Sequence, residues 1–207
     1  MLEHLRSRWT KVLSPAAARL LKANITPDMV TWIGTIGVVV VSLVCFPRGW
    51  LWQGTLLLLV FIFSDSLDGI MARMSKTSSS WGAFLDSCLD RIADGAVMGG
   101  LALYYVGKDY NTLWATLAIV ALVCGQVTSY TKARGESLGF TVDGGLAGRS
   151  DRLLVGLLGA FLTGLSIGWA LPVALIVLAI AGIITVGQRM TLVRGQVVAD
   201  AHQDETK

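Results

Sequence analysis

Apolar residues gather in six blocks, at about 29–47, 51–73, 82–107, 112–133, 153–170 and 172–192, separated by short polar or charged stretches. Each block spans roughly 18–25 residues, enough for a helix to cross ~30 Å of hydrocarbon. No apolar stretch outside them can build a second core. The pattern therefore predicts an all-α integral membrane protein with a single domain over 1–207. Six transmembrane helices form a bundle over 29–192, and a polar tail follows at 195–207. Residues 2–23 read differently. Arg6, Arg8, Lys11, Arg19 and Lys22 alternate with Leu2, Leu5, Trp9, Val12, Leu13, Leu20 and Leu21, without the continuous apolar run of a cleaved leader. That is an amphipathic juxtamembrane helix for an anionic membrane surface, broken near Ser14-Pro15.

Composition agrees: 54% of the 207 residues are hydrophobic and mean hydropathy is +0.64, well above a soluble domain. Charge sets the orientation. With the N-terminus inside, Arg73, Lys76, Lys132, Arg134, Arg149, Arg152, Arg189, Arg194 and Lys207 join the basic N-terminal segment on the cytoplasmic side of the cell membrane, and only Arg48 and Lys108 face the other way. Both termini and the site described next are then cytoplasmic. The formal charge of +3 matches membrane lipids and an anionic substrate; no basic–aromatic surface outside the bilayer offers a nucleic acid a place to bind. Cys45, Cys88 and Cys124 all fall within spans, so a disulfide framework is not expected. His4 and His202 lie in the terminal segments, away from any cluster.

The second and third spans break the apolar rule with Asp65, Asp68, Asp86, Asp90 and Asp94. Each carboxylate costs about 2.5–3.5 kcal/mol at mid-span, so the group carries a penalty on the order of 10 kcal/mol unless it faces a polar cavity or binds cations. Asp65 and Asp68 are three apart, and Gly82, Asp86 and Asp90 step by four, so each set shares one helix face. The short link at 76–80 makes the two helices antiparallel neighbours whose acidic faces meet. Converging carboxylates repel one another, and hard divalent cations that prefer oxygen, Mg²⁺ or Mn²⁺, are the natural neutralisers. Gly69, Ala72 and Gly82 leave room for a phosphate to approach the backbone, and Arg73 can clamp its oxygens.

Asp65-x-x-Asp68-Gly69-x-x-Ala72-Arg73, eight further residues, then Gly82-x-x-x-Asp86-x-x-x-Asp90 resembles the complete signature of the CDP-alcohol phosphotransferases. The resemblance covers about 15–195 and implies six transmembrane helices behind a juxtamembrane helix, a homodimer, and two metal ions per site. It assigns Asp65, Asp68 and Asp86 to one ion, Asp65, Asp86 and Asp90 to the other, and the general base to Asp90. The donor segment of the family, Pro-Asn-x-x-Thr, reads Pro27-Asp28-Met29-Val30-Thr31 here, with Asp in place of Asn. Carried over, the CDP-diacylglycerol site comprises Asp28, Met29, Val30, Thr31, Gly69, Ala72, Arg73, Ser79 and Gly82.

For the acceptor alcohol, Lys132, Arg134, Arg152 and Arg189 fall on the face where the acids sit, and together they suit an acceptor that itself carries phosphate. The run Ser129-Tyr130-Thr131-Lys132-Ala133-Arg134, with Asp143-Gly144-Gly145 and Arg149-Ser150-Asp151-Arg152, resembles the actinobacterial phosphatidylinositol phosphate synthases. That implies 1D-myo-inositol 3-phosphate as acceptor, held by Ser129, Lys132, Arg152 and Arg189. Glycerol 3-phosphate, which would make the chain a phosphatidylglycerol phosphate synthase, is the nearest rival.

Two other classes compete. Intramembrane acids also serve cation transporters, but those need carboxylates near mid-bilayer and usually broken helices or inverted repeats; no internal repeat is visible, and the acids cluster at one end beside Arg73. A structural subunit would explain Gly95, Gly99 and Gly100 as a packing face while leaving the acids without purpose. Asp94, outside the signature, is expected to pair with Arg91. The seven tryptophans, Trp81 included, read as interfacial anchors, and the glycine-rich stretch 135–148 as a flexible loop able to close over substrate.

Overall fold

The computed structural model describes residues 13–75, 79–108 and 111–204, with side chains other than those of 63–66, 108 and 202–204. Among the described residues the chain is all-helical: α1 (13–22), α2 (Pro27–Cys45), α3 (Leu51–Ser75), α4 (Ser80–Lys108), α5 (Thr112–Ser137), α6 (Arg149–Gly164) and α7 (Ala170–Asp204).

The basic N-terminal segment enters this set as α1, since 2–12 lie outside the described residues. The described part of this helix begins at Leu13, just before Ser14 and Pro15, and whether the segment breaks there turns on residues 2–12, outside the described set. The helix stops at Asn24, whose φ of +57° is left-handed. There the Ile25 N–H donates to Leu20 O (3.0 Å) and the Asn24 N–H to Leu21 O (3.1 Å), which closes the orphan carbonyls. Thr26 then caps α2, its hydroxyl accepting from the Met29 N–H at 3.3 Å, with Pro27 in the first helical position. The two helices thus join through a short, fully bonded turn. Leu13, Ala17, Leu20, Leu21 and Ile25 pack there on Val30 of α2 and on Ile70 and Met71 of α3.

The remaining helices close a ring in the order α2–α3–α6–α7–α5–α4, each packed on its two neighbours. Val38, Leu58, Val97, Leu101, Ala118, Leu157 and Leu175, drawn from all six helices, fill its centre. In lipid, burial of apolar surface does not favour helix on helix over helix on tail, so close packing must supply the preference. Small residues provide it. A Cβ on Gly100 of α4 would stand 2.5 Å from Ser42 O of α2, and one on Gly182 of α7 would stand 2.6 Å from Cys124 Cβ of α5. The expected Gly95–Gly99–Gly100 face is divided by this arrangement. Gly100 faces α2, whereas a Cβ on Gly95 or Gly99 would meet nothing within 4 Å.

The ring corrects the expected direct packing of α3 on α4. Among the described residues α3 and α4 are not extensively packed together; each packs on α2, which lies against both.

Four helices are long and apolar enough to cross a membrane by length and composition: Pro27–Cys45, Leu51–Ser75, Thr112–Ser137 and Ala170–Ala201. α4 has the length but is interrupted by Asp86, Asp90, Arg91 and Asp94. α6, at 16 residues, is shorter than the roughly 20 of a full crossing. It opens at Arg149 rather than near 153, because the Asp151 carboxylate accepts the Gly148 N–H at 2.9 Å and caps the earlier turn. It ends at Gly164 rather than near 170. α7 runs on past the expected 192 to Asp204.

The stretch between α5 and α6 is fastened rather than loose. The Thr141 N–H donates to Gln196 Oε1 at 3.0 Å, and Gln196 Nε2 donates back to Thr141 O at 2.7 Å. Val142 is fully buried against Gly135, Arg189 Nε donates to Gly144 O at 3.1 Å, and the Ala147 N–H reaches Thr185 Oγ1 at 3.4 Å. These anchors contradict the expected flexible loop. Its glycines meet a conformational need instead: Gly139, Gly144 and Gly145 all have positive φ, at 88°, 112° and 119°.

Candidate active site at the charged end of the ring

The opening of α2, the end of α3 and the start of α4 meet at one end of the ring. Thr31 and Asp68 are both buried, and the Thr31 hydroxyl donates to Asp68 Oδ2 at 2.5 Å, with Pro27 O 3.1 Å away as its alternative acceptor. This bond fixes a carboxylate that would otherwise be a costly buried charge. A Cβ on Gly82 would lie 3.5 Å from Ser79 Oγ and 3.9 Å from Asp28 Oδ1, so Asp28 reaches the first turn of α4. Ser79 caps that turn by accepting the Gly82 N–H at 3.0 Å. Arg73, exposed, folds back over Gly69, where an added Cβ would be 3.7 Å from Nη1. Ala72 is half-buried beside it. Within the segment 28–31 the roles divide: Met29 is exposed, Val30 packs under α1, Asp28 lies near Gly82 of α4, and Thr31 bonds Asp68.

Of the four signature aspartates, Asp65 belongs to α3 with its side chain outside the described set. Asp68 is held by Thr31, Asp86 is exposed on α4, and Asp90 points inward. No three metal-ligating side chains among the described residues converge on one point. The chemistry of the donor set nonetheless fits a hard cation: it is all carboxylate oxygen, partly buried, and without a sulfur or imidazole competitor.

Asp90 is 15% exposed and lies 2.8 Å from Arg149 Nη1 and 3.5 Å from Arg91 Nη1. Asp94, one turn further, takes Arg149 Nε at 3.3 Å and Arg152 Nη2 at 3.6 Å. The expected Asp94–Arg91 pair is therefore replaced: Arg91 goes to Asp90, and Asp94 is held from α6. Sequence gives no direct sign of this, because the partners come from helices far apart in the chain.

Asp90 also forms part of the wall of a cavity of about 340 Å³, together with Ser129, Lys132, Arg149, Arg152 and Arg189. All four expected acceptor residues thus meet in one space beside the last signature aspartate. Ser129 Oγ donates to Gly125 O at 3.2 Å. Lys132 Nζ stands 3.3 Å from Asp143 and 3.5 Å from Glu136. Arg189 Nη1 donates to Thr128 O at 2.5 Å, and buried Arg152 donates to Ala147 O at 3.4 Å. Arg134 is a correction: it is exposed, bonds Ser137 at 3.4 Å and takes no part in this wall, since its place on α5 turns it away. Arg91 and Arg149 replace it. Five cations against Asp90 and Glu136 give the wall a strong positive balance, which suits a phosphorylated ligand. Arg149 escaped the sequence reading although it lies one turn before Arg152, three residues away on α6, and so shares its face.

A second opening of about 500 Å³ runs between α3 and α6 along Leu56, Leu59, Leu154, Leu158 and Phe161, with Arg149 and Ser150 at its polar end. An apolar trough that ends on an arginine beside the acids has the form needed for a chain-bearing phosphate.

Comparison with known proteins agrees with this geometry. Residues 24–140 match the model of the CDP-alcohol phosphatidyltransferase family. The chain is 54% identical to the phosphatidylinositol phosphate synthase of Cutibacterium acnes, covering 94% of this chain and 98% of that one. It is 45% identical to the synthase of the same name from Streptomyces avermitilis, covering 93% and 82%. It superposes on the Mycobacterium tuberculosis phosphatidylinositol phosphate synthase solved with CDP-DAG bound with a TM-score of 0.86, at 38% identity and covering 88% of this chain and 94% of that one. A second crystal structure of that enzyme, in complex with manganese and citrate, gives a TM-score of 0.83 at 38% identity, covering 87% and 88%.

Proposed function

Because the chain belongs to the CDP-alcohol phosphatidyltransferase family, we propose that it transfers the phosphatidyl group of CDP-diacylglycerol to 1D-myo-inositol 3-phosphate, forming phosphatidylinositol phosphate and releasing CMP. The observation that carries the choice of acceptor is the cavity where Lys132, Arg149, Arg152 and Arg189 surround the space next to Asp90. A neutral alcohol would leave the excess positive charge of that wall, five cations against Asp90 and Glu136, uncompensated. A phosphorylated polyol supplies one and brings a hydroxyl to the same carboxylate. Family membership sets aside the transporter and structural-subunit readings.

In this reading Asp28, Thr31, Gly69, Ala72, Arg73, Ser79 and Gly82 bind and orient the CDP donor, and its acyl chains follow the apolar trough between α3 and α6. Val30 holds the donor segment in place by packing under α1, and Met29, exposed beside it, is open to the donor. Asp65, Asp68 and Asp86 hold one divalent ion, and Asp65, Asp86 and Asp90 the second. When bound, Mg²⁺ or Mn²⁺ neutralises the charge that develops on the departing CMP. Asp90 takes the proton from the acceptor hydroxyl. Ser129, Lys132, Arg152 and Arg189 hold the acceptor phosphate and so aim that hydroxyl at the donor phosphorus.

The same reading has α2 to α7 all crossing the cell membrane as one domain, with the basic N-terminal helix on its cytoplasmic surface, both termini and the site facing the cytoplasm, and two copies assembled as a homodimer. Ring closure supports the six spans: α4 and α6 each fill a place between two helices that are long and apolar enough to cross. The test is CMP release from CDP-diacylglycerol by purified protein with Mn²⁺ or Mg²⁺, offered inositol 3-phosphate, glycerol 3-phosphate or inositol. Release with inositol phosphate alone is expected; release with glycerol phosphate alone keeps the family and overturns the acceptor.

A further inference from the structure

Arg149 stands where three spaces meet. It contributes to the wall of the cationic cavity, to the polar end of the apolar trough, and to a small gap among α2, α3, α4 and α6 that also holds Asp90. Its guanidinium uses two edges, Nη1 toward Asp90 at 2.8 Å and Nε toward Asp94 at 3.3 Å. The fork is what allows one side chain to hold both carboxylates. It is only partly covered, with 28% of the side chain exposed, so it has room to turn. Asp94 and Asp90 are also unequal. Asp94 keeps a second partner in Arg152 and lies outside the signature, whereas Asp90 is the carboxylate assigned above both to an ion and to the acceptor proton.

We infer that Arg149 is an exchangeable counter-ion. It holds Asp90 while the carboxylate cluster lacks a divalent ion, and it swings on Asp94 to the phosphate of the lipid donor when Asp90 changes partner. The inference rests on the metal and donor reading above. Electrostatics gives it direction: a guanidinium 2.8 Å from Asp90 competes with any cation for the same oxygens, and once displaced it is a bare fork beside the trough that ends on it. Arg149 then acts twice, as a lock on the base before loading and as a phosphate ligand afterwards.

The experiment is Mn²⁺ binding to purified protein without substrate, read by electron paramagnetic resonance, followed by donor turnover. Arg149→Gln is expected to bind Mn²⁺ about tenfold more tightly than wild type, because Asp90 is released, while kcat for CMP release falls on the order of 100-fold. Arg189→Gln removes the same charge from the same cavity without touching Asp90 and should shift Mn²⁺ affinity less than about twofold. Arg149→Lys keeps the charge but not the fork, so its Mn²⁺ affinity should lie between the two and its turnover should partly recover; it also decides the matter if the glutamine variant does not fold. Mn²⁺ affinity in the Arg149 variants that is unchanged, weakened or matched by Arg189→Gln overturns the lock. Tighter Mn²⁺ with undiminished kcat overturns the phosphate ligand. Failure of the functional reading looks different: wild-type protein would release no CMP, whatever the Mn²⁺ affinities.

Discussion

At the packed end of α4, Gly100 brings its backbone against Ser42 of α2 with no space for a methyl group. Ten residues earlier on the same helix, roughly 15 Å along its axis, Asp90 and, a turn on, Asp94 pair directly with arginines from α6 beside an open cavity. One helix thus serves two purposes. Its far half is held by contact, where any added atom displaces backbone. Its near half is held by charge, where partners can be exchanged without moving the helix. An active site that must take in two anions and release two products needs the second kind of attachment, and the first kind keeps it in register.

The largest effect should come from the charged half. Asp90→Asn keeps the shape and removes the proposed base, so kcat is expected to drop by about 10³-fold or more, while CDP-diacylglycerol binding, measured separately by titration, stays near wild type. Wild-type turnover in that variant would remove Asp90 from proton transfer. Gly100→Leu attacks the other half. Overpacking against Ser42 should cost ~1–3 kcal/mol, seen as a lower thermal midpoint in detergent, with kcat per folded molecule largely kept. If the midpoint holds and kcat falls, the two halves are not separable in the way described.

The acidic half is legible in the sequence because its order is local. Steps of three and four are enough to put Asp65 with Asp68, and Gly82 with Asp86 and Asp90, on single helix faces. The four proposed acceptor residues follow from charge and resemblance, and they share one cavity. Everything set by distant partners is hidden from such a reading. The place of α2 against both α3 and α4, the hold of Arg149 on Asp90, and the Gln196 clamp on Thr141 join residues far apart in the chain. Arg134 illustrates the reverse error: its charge and position match the pattern, but its direction around α5 turns it away from the cavity.

Smaller effects sharpen the same contrast. Arg189→Ala removes a proposed anion ligand that also donates to Thr128 O and Gly144 O, so KM for the acceptor should rise about tenfold while KM for the donor shifts less than about twofold. Equal shifts in both would move Arg189 out of the acceptor site. Gln196→Ala loosens the loop at 138–148 without touching the cavity wall, and the acceptor KM should rise only about two- to threefold, at ~0.5–1.5 kcal/mol per hydrogen bond lost.

The central claim is that the cationic cavity and the acidic end are one active site that takes an acceptor carrying its own phosphate. The most direct measurement supplies purified enzyme with CDP-diacylglycerol, Mn²⁺ and inositol 3-phosphate labelled with ³²P, then follows the label between aqueous and lipid phases. The account predicts label in the lipid phase in proportion to the CMP released. CMP release with the label left in water would contradict it.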